Sequence, residues 1–300
     1  MGIRFGLKLL LFFVVVRGCP MNACAQDNIL KSKLEHYIQS CRAEIGVAVI
    51  MDAHDTICVN NASPYPMNSV LKLYQALAVA DVLQKRGVAL DSCILIEREE
   101  LYSGTYSPLR DKYLSGKVSL SIAELLKYSL QQSDNIACDI LFDRIVGLEE
   151  TDKYIRTLGV EDFAIRANER DMFENHEASS KNWNYPLAAA TLIYKLFTEP
   201  LYKPIYQKFL IETLVGCQTG KERLAEPFLQ TNAVIGHKTG TGFMSLNGLP
   251  QGINDVGFVR LPIGRYYAIA VFIKSSQKNM VETEQMIADI SEIVYQHIIL

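Results

Sequence analysis

The 300-residue chain has little excess charge of either sign, with 30 Lys and Arg residues against 33 Asp and Glu residues. That balance offers no electrostatic attraction for nucleic acid, so we expect no nucleic-acid partner. The chain also lacks long apolar runs after its N-terminus, where none approaches the roughly 20 residues needed to cross a bilayer. With 49% hydrophobic residues, what remains is a globular protein with enough apolar material for a core.

Metal-binding and disulfide patterns are also missing. The sequence contains no CxxC motif, and none of its five histidines has a cysteine or an acid at metal-ligand spacing. We therefore predict no metal site and no cofactor. After residue 25 the number of cysteines is odd, which leaves at least one thiol unpaired in an oxidising compartment. These cysteines are Cys41, Cys58, Cys93, Cys138 and Cys217.

The N-terminus has the three parts of a secretory signal peptide. Two basic residues precede an apolar run over residues 9–16, and Ala23 and Ala25 are the small residues that a signal peptidase requires. We predict cleavage after Ala25, a periplasmic location, and no membrane contact of the mature chain. A membrane anchor and lipid attachment at Cys19 or Cys24 are the alternatives.

Patterns along the rest of the chain predict strands near both ends and helices between them. Helices are predicted over residues 28–42, 69–86, 121–131, 137–145, 186–197 and 280–299, and strands over 45–51, 56–59, 234–238, 255–261 and 266–273. We therefore expect an α+β fold in which both termini build one sheet that carries a helical insert. Residues 26–65 and 215–300 are predicted to form a discontinuous α/β domain, and residues 66–214 an all-α domain.

The first pattern that could carry chemistry is Ser69 followed three residues later by Lys72. Residues at this spacing share one face of a helix, and free backbone N–H groups at a helix N-terminus can stabilise an oxyanion. A lysine with a lowered pKa could take the serine proton. The pattern is weak alone, because Ser275 and Lys278 have the same spacing, and there we interpret it as a solvated turn.

Two rarer motifs follow in the chain. The tripeptide S-D-N at 133–135 lies in a polar turn, where a helix cap is the alternative interpretation. The tripeptide K-T-G at 238–240 lies on a predicted strand, where an exposed strand end is the alternative. In this order the three motifs resemble those of the serine β-lactamase and penicillin-binding protein superfamily, which are S-x-x-K, S-D-N and K-T-G.

Glu169 extends the resemblance to class A β-lactamases, which carry a glutamate on a loop between the second and third motifs. Further matches around Tyr106, Cys138, Trp183 and Thr241 spread it over most of the chain, and it is strongest for the subgroup common in Bacteroidetes that includes extended-spectrum enzymes. The resemblance implies a monomer that hydrolyses small-molecule β-lactams. It also implies an antiparallel five-stranded sheet flanked by helices, beside an all-α domain.

The resemblance implies a role for each motif residue. Ser69 would be the nucleophile, Lys72 and Glu169 would share the role of base, and Ser133 would pass a proton to the leaving lactam nitrogen. The backbone N–H groups of Ser69 and Thr241 would form the oxyanion hole. The residues implied in substrate binding are Asn135, Lys238, Thr239, Thr241, Arg223 and Tyr106.

Several positions depart from the family's pattern. Phe173 stands where the family usually has an asparagine that helps to hold the hydrolytic water. Ala167 and Asn182 stand where most members have an Arg–Asp ion pair, and Leu77 stands in place of a cysteine. We therefore expect a rebuilt loop around the glutamate, with deacylation as the step affected.

The common arginine on the strand after K-T-G is also missing. We expect Arg223 to replace it as a fork for the substrate carboxylate, the alternative being a solvated surface arginine. Two rival functions share the three motifs and stay open at this point. One is a penicillin-binding peptidase that acts on D-Ala-D-Ala stems, and the other is a sensor domain that binds β-lactams without hydrolysing them.

Overall fold

The computed structural model describes residues 21–51, 55–114 and 116–299. The helices are α1 (Met21–Ser40), α2 (Leu71–Arg86), α3 (Pro108–Lys112), α4 (Ile122–Gln131), α5 (Asn135–Arg144), α6 (Leu148–Thr157), α7 (Glu169–Glu174), α8 (Pro186–Thr198), α9 (Pro204–Val215) and α10 (Met280–Ile299). The strands are β1 (Glu44–Ile50), β2 (Thr56–Val59), β3 (Tyr65–Pro66), β4 (Cys93–Ile96), β5 (Val118–Ser121), β6 (Phe163–Ala164), β7 (Trp183–Asn184), β8 (Val234–Thr241), β9 (Gly252–Arg260) and β10 (Tyr266–Lys274). The predicted signal peptide falls mainly on residues 1–20, which lie outside the described residues.

A five-stranded antiparallel sheet in the order β2-β1-β10-β9-β8 confirms the predicted fold class. Strands from the N-terminal part pair directly with strands from the C-terminal part, for example where Val47 lies opposite Val271. The inner strands are apolar almost throughout because helices cover both faces of the sheet. The short strands form two small sheets, β3-β7-β6 and β4-β5.

The two faces of the sheet belong to two different cores. Successive side chains of a strand point to opposite faces, so Val47 and Val49 lie in one core and Ala48 in the other. Helices α1 and α10 pack on the first face. Helix α8 packs on the second face, where small residues at 188–190 allow its backbone to lie close to β1 and β10. The remaining helical segments extend this second core.

Helix α2 runs through the second core and carries the first motif. It ends as predicted at Gly87, whose left-handed φ of 66° lets its N–H bond to the carbonyl of Leu83. Its start differs from the prediction, because Ser69 lies in a 3₁₀ turn over Asn68–Val70 that precedes the first α-helical residue, Leu71. Among the described residues, no helix is both long and apolar enough to cross a membrane.

Candidate active site

Residues of the first two motifs, together with Thr241 directly after the third, line one cavity of about 230 Å³ between the sheet edge and the helical core, called the cleft below. The 3₁₀ turn before α2 supplies Ser69, the turn before α5 supplies Asn135, and the end of β8 supplies Thr241. Helix α7 brings Glu169 to the opposite wall. Four segments far apart in the chain therefore place polar groups around one space.

Lys72 is fully buried and holds the centre of the site. Its Nζ lies 2.9 Å from Ser69 Oγ, 2.8 Å from Asn135 Oδ1 and 2.5 Å from Glu169 Oε1. These three acceptors use all three N–H bonds of an ammonium group. In this arrangement Lys72 cannot accept the proton of Ser69 until it has given one of its own to Glu169.

Glu169 is positioned by the start of α7 and by a carboxylate that sequence reasoning missed. Asn168 caps the helix by accepting from the backbone N–H of Asp171, and the Asp171 carboxylate accepts from the backbone N–H of Asn168. The backbone N–H of Glu169 donates to Asp139 Oδ1 at 2.9 Å, and Asp139 Oδ2 accepts from Tyr102 Oη at 2.7 Å. Burial, together with the nearby charge of Glu169, raises the pKa of Asp139 to about 7. Asp139 could have been found as the carboxylate one helical turn after Asn135.

The S-D-N turn serves both interpretations given for it above. Asp134 is the N-cap of α5, and it also accepts hydrogen bonds from Ser107 Oγ and the Leu109 N–H. The residues on either side of it face the cleft. Ser133 has a left-handed φ of 58°, and Asn135 bonds through its amide nitrogen to Thr105 Oγ1 at 2.8 Å.

Lys238 is a second fully buried lysine at the cleft. Its Nζ lies 3.0 Å from Ser133 Oγ and 2.7 Å from the carbonyl oxygen of Thr239. No carboxylate of the described residues forms an ion pair with it. Burial, reinforced by the charge of Lys72, lowers the pKa of Lys238 to about 7.

Arg223 is not the solvated surface arginine that one interpretation proposed, because it is buried and its charge is paired. Its guanidinium forms an ion pair with Glu284 on α10 at 2.9 Å and donates to the carbonyl oxygens of Gly240 and Asn254. It also donates to Thr241 Oγ1 at 2.8 Å. The guanidinium of Arg223 is therefore already bonded within the protein and is not free to bind a substrate carboxylate. It reaches the cleft through the hydroxyl of Thr241.

A buried asparagine holds the glutamate loop, residues 165–182. The side-chain oxygen of Asn182 accepts from the N–H groups of Arg166 and Ala167, and its nitrogen donates to the carbonyl of Ala167. Phe173 packs against the ring of Tyr102 and fills the space beside Gly104, where an added Cβ would lie 2.5 Å from the Phe173 ring. Hydrogen bonds and apolar packing thus replace the ion pair and the asparagine.

Aromatic side chains lie at the mouth of the cleft. Tyr106 lines it with 58% of its surface exposed. On the other side His176 from the glutamate loop stacks on Phe243, with 3.9 Å between ring centroids. The second S-x-x-K pattern, at 275–278, lies in the turn between β10 and α10 and does not line the cleft.

A family model described as "Beta-lactamase enzyme family" matches residues 28–298. The chain belongs to this family. A β-lactamase of Phocaeicola vulgatus is 40% identical over 298 residues, which covers 96% of this chain and 93% of that protein. The extended-spectrum β-lactamase PER-1 of Pseudomonas aeruginosa is 31% identical and covers 94% of this chain and 92% of that protein.

Solved structures of β-lactamases have the same architecture. A class A β-lactamase from Bacteroides cellulosilyticus superposes with a TM-score of 0.87 at 35% identity, over 91% of this chain and 98% of that one. The extended-spectrum β-lactamase TLA-1 superposes with a TM-score of 0.88 at 34% identity, over 92% of this chain and 100% of that one. These findings confirm the predicted resemblance to class A β-lactamases, a hydrolase family that acts on β-lactams.

Proposed function

We propose that this β-lactamase cleaves β-lactams through an acyl-enzyme on Ser69, which is then hydrolysed by a water that Glu169 activates. The observation that carries the proposal is the chain of contacts from Ser69 Oγ through Lys72 Nζ to Glu169 Oε1, at 2.9 and 2.5 Å. This chain joins a nucleophile to a carboxylate through one buried ammonium, so a proton can leave the serine without entering solvent.

Acylation begins when Ser69 Oγ attacks the lactam carbonyl carbon. Lys72 gives a proton to Glu169 and takes the serine proton in its place. The carbonyl oxygen becomes negative, and the N–H groups of Ser69 and Thr241 stabilise it as the oxyanion hole. One such donor typically contributes about 3–4 kcal/mol to lowering the barrier.

The lactam C–N bond then breaks, and the nitrogen requires a proton. Ser133 Oγ supplies it and is resupplied by Lys238, whose Nζ lies 3.0 Å away. Lys238, Thr239 and Thr241 bind the substrate carboxylate, and Arg223 fixes the hydroxyl of Thr241. Asn135 contacts the amide of the substrate side chain.

Deacylation depends on Glu169 more heavily than the family's pattern implies. Phe173 offers no side-chain hydrogen bond to a water, so the Glu169 carboxylate holds and deprotonates it without help from that position. The buried contacts of Asn182 and Asp139 keep this carboxylate in place. Both rival functions lack a dedicated deacylating glutamate, so a glutamate at this position supports the lactamase.

We also propose the finer features that the sequence suggested. The chain is exported through the signal peptide and acts in the periplasm as a monomer. Its two domains meet at the cleft, one formed by residues 26–65 and 215–300 and the other by 66–214. The motifs and the composition of the N-terminus support these proposals.

The test is steady-state turnover of a chromogenic cephalosporin by the purified protein. We expect many turnovers per molecule, and we expect Ser69→Ala to lower kcat by at least about 10⁴-fold, as removal of a nucleophile does elsewhere. Ser275→Ala is the matched control, because it alters the exposed S-x-x-K serine in the remote turn and should leave turnover unchanged. A single stoichiometric burst would instead favour the peptidase or the sensor.

A further inference from the structure

A second cluster of titratable side chains lies on β8 beside the cleft, and the mechanism does not use it. His237 is buried on β8, and its Nδ1 lies 2.9 Å from Asp255 Oδ2 on the neighbouring strand. The thiol of Cys217, which follows α9, interacts with the same imidazole. A thiol, an imidazole and a carboxylate therefore stand in series directly beside Lys238.

This environment favours the charged forms of the thiol and the imidazole. Burial opposes ionisation of the Cys217 thiol, but His237, Lys238 and a hydrogen bond with Thr219 together lower its pKa to about 7. Burial also opposes a charged imidazole, yet the charges of Asp255 and Cys217 raise the pKa of His237 to about 10. A thiolate is the nucleophilic form of cysteine, so the cluster activates this sulfur at neutral pH.

Cys217 is also a free thiol on a residue that is partly exposed. All five cysteines of the described residues are free thiols, and Cys217 is partly exposed whereas Cys138 is buried. Cys93 is exposed on β4 at a distance from the cleft, which makes it a useful internal reference.

The turn that carries Cys217 packs tightly against the K-T-G motif. Cys217 Sγ lies 3.5 Å from Thr219 Oγ1, which in turn lies 2.6 Å from Thr239 Oγ1. Gly220 has a left-handed φ of 63°, and a Cβ added there would lie 2.5 Å from the methyl group of Thr239. Turn and strand are in direct contact here, so we expect a group attached to Cys217 to displace Thr219 from the strand.

We propose that Cys217 is a modification site for small sulfur electrophiles, such as disulfides and thiosulfonates, and that its modification weakens substrate binding by separating Thr219 from Thr239. The coupling rests on the proposed function, in which Thr239 binds the substrate carboxylate. The Cys217 thiolate attacks the electrophilic sulfur, a new S–S bond forms, and the leaving group departs with the electron pair of the broken bond. His237 keeps its proton and stays paired with Asp255.

The experiment treats the folded enzyme with methyl methanethiosulfonate and follows labelling at each cysteine by peptide mass spectrometry. Methanesulfinate is the leaving group, and the methylthio group stays on sulfur. KM for a cephalosporin should rise roughly 2- to 10-fold, as expected for the loss of one hydrogen bond. The rise in KM should follow the fraction of Cys217 that carries the methylthio group, not the fraction of Cys93 that carries it. Dithiothreitol removes the group and should reverse the rise.

Variants separate the site from its neighbours. Cys217→Ser should turn over substrate like the untreated enzyme and keep its KM during treatment, whereas Cys93→Ser should remain sensitive. If Cys217→Ser folds poorly, the unmutated enzyme still tests the proposal, because its KM can be compared with the labelled fraction of Cys217. Cys217 left unlabelled while Cys93 is labelled would overturn the site, and full labelling with unchanged KM would overturn the coupling.

A failure of this inference can be distinguished from a failure of the proposed function. Absence of turnover before treatment would contradict the hydrolytic mechanism, yet labelling could still be measured. Normal turnover with no response to labelling would contradict only the inference about Cys217.

Discussion

Lys72 and Lys238 are both fully buried and each donates to a motif serine, Ser69 or Ser133, yet their surroundings differ in charge. Lys72 has the carboxylate of Glu169 at 2.5 Å, and its three donors are all used. Lys238 bonds to a hydroxyl and a carbonyl oxygen, and burial lowers its pKa to about 7. Within the described part of the chain, Lys72 therefore forms an ion pair with a carboxylate, whereas Lys238 forms none.

The difference separates two tasks at one site. A buried charge is costly unless it is paired, so the ion pair of Lys72 and Glu169 is complete before substrate arrives and can pass protons within itself. The site of Lys238 becomes complete only when an anion enters the cleft. The carboxylate of a β-lactam supplies that anion, so binding of the substrate repays the cost of burying Lys238.

The strongest test replaces each lysine by methionine, which keeps most of the volume and removes the charge. Lys72→Met should lower kcat by about 10²- to 10⁴-fold, the usual range for the loss of a general base. Lys238→Met should raise KM roughly 10- to 100-fold through the loss of a charge-assisted hydrogen bond. It should also lower kcat, but less than Lys72→Met does, because Ser133 loses the group that resupplies its proton. Steady-state kinetics measures both. Equal effects of both variants on kcat alone would contradict the division of tasks.

The pH dependence of KM tests the proposed role of Lys238 separately from that of Lys72. Since the pKa of Lys238 is lowered to about 7, its ammonium loses its proton as the pH rises through that value, and KM for an anionic substrate should increase above about pH 7. Lys238→Arg keeps its charge, because arginine is not deprotonated in proteins. The variant should therefore show a KM that stays flat to higher pH. The same rise in both proteins would assign it to another group.

The sequence predicted the strands of the sheet and the motif residues of the site much better than the short helix and the buried partners that hold those residues in place. The strands that became β1 and β10 are strongly apolar, and the three motifs identify Ser69, Ser133 and Lys238 even though the last two are 105 residues apart. Helix α7 was not predicted, because six residues are too few to carry a helical period and the helix depends on its caps.

Residues that act through distant partners were missed for a related reason. Arg223 gives no sign in the sequence that Glu284, 61 residues later, will bury and pair it. Cys217, His237 and Asp255 likewise come together only because α9 ends beside β8 and β9 pairs with it. Partners like these are fixed by tertiary packing, which local patterns do not report.

The smallest predicted effect on turnover concerns the glutamate loop, which carries Glu169, the ion-pair partner of Lys72. Asn182→Ala removes three buried hydrogen bonds and leaves backbone groups of Arg166 and Ala167 unpaired. We expect a loss of about 2–4 kcal/mol in the free energy of unfolding, measured by denaturant titration. Ser180→Ala, an exposed position in the same loop, is the control and should change little. Deacylation should slow in Asn182→Ala while KM stays near its original value, because Lys238 is untouched.

Mass spectrometry of Glu169→Gln during reaction with a penicillin tests the central claim most directly. Glutamine can still accept a hydrogen bond from Lys72 but cannot deprotonate a water. Without a carboxylate to pair with, the buried Lys72 can lose its charge and take the Ser69 proton itself, so the acyl-enzyme should form and then persist. We expect a penicilloyl adduct on Ser69 that persists for minutes in the variant and is absent from the original enzyme once substrate is consumed. Release of product at the same rate from both proteins, with no adduct on Ser69, would contradict it.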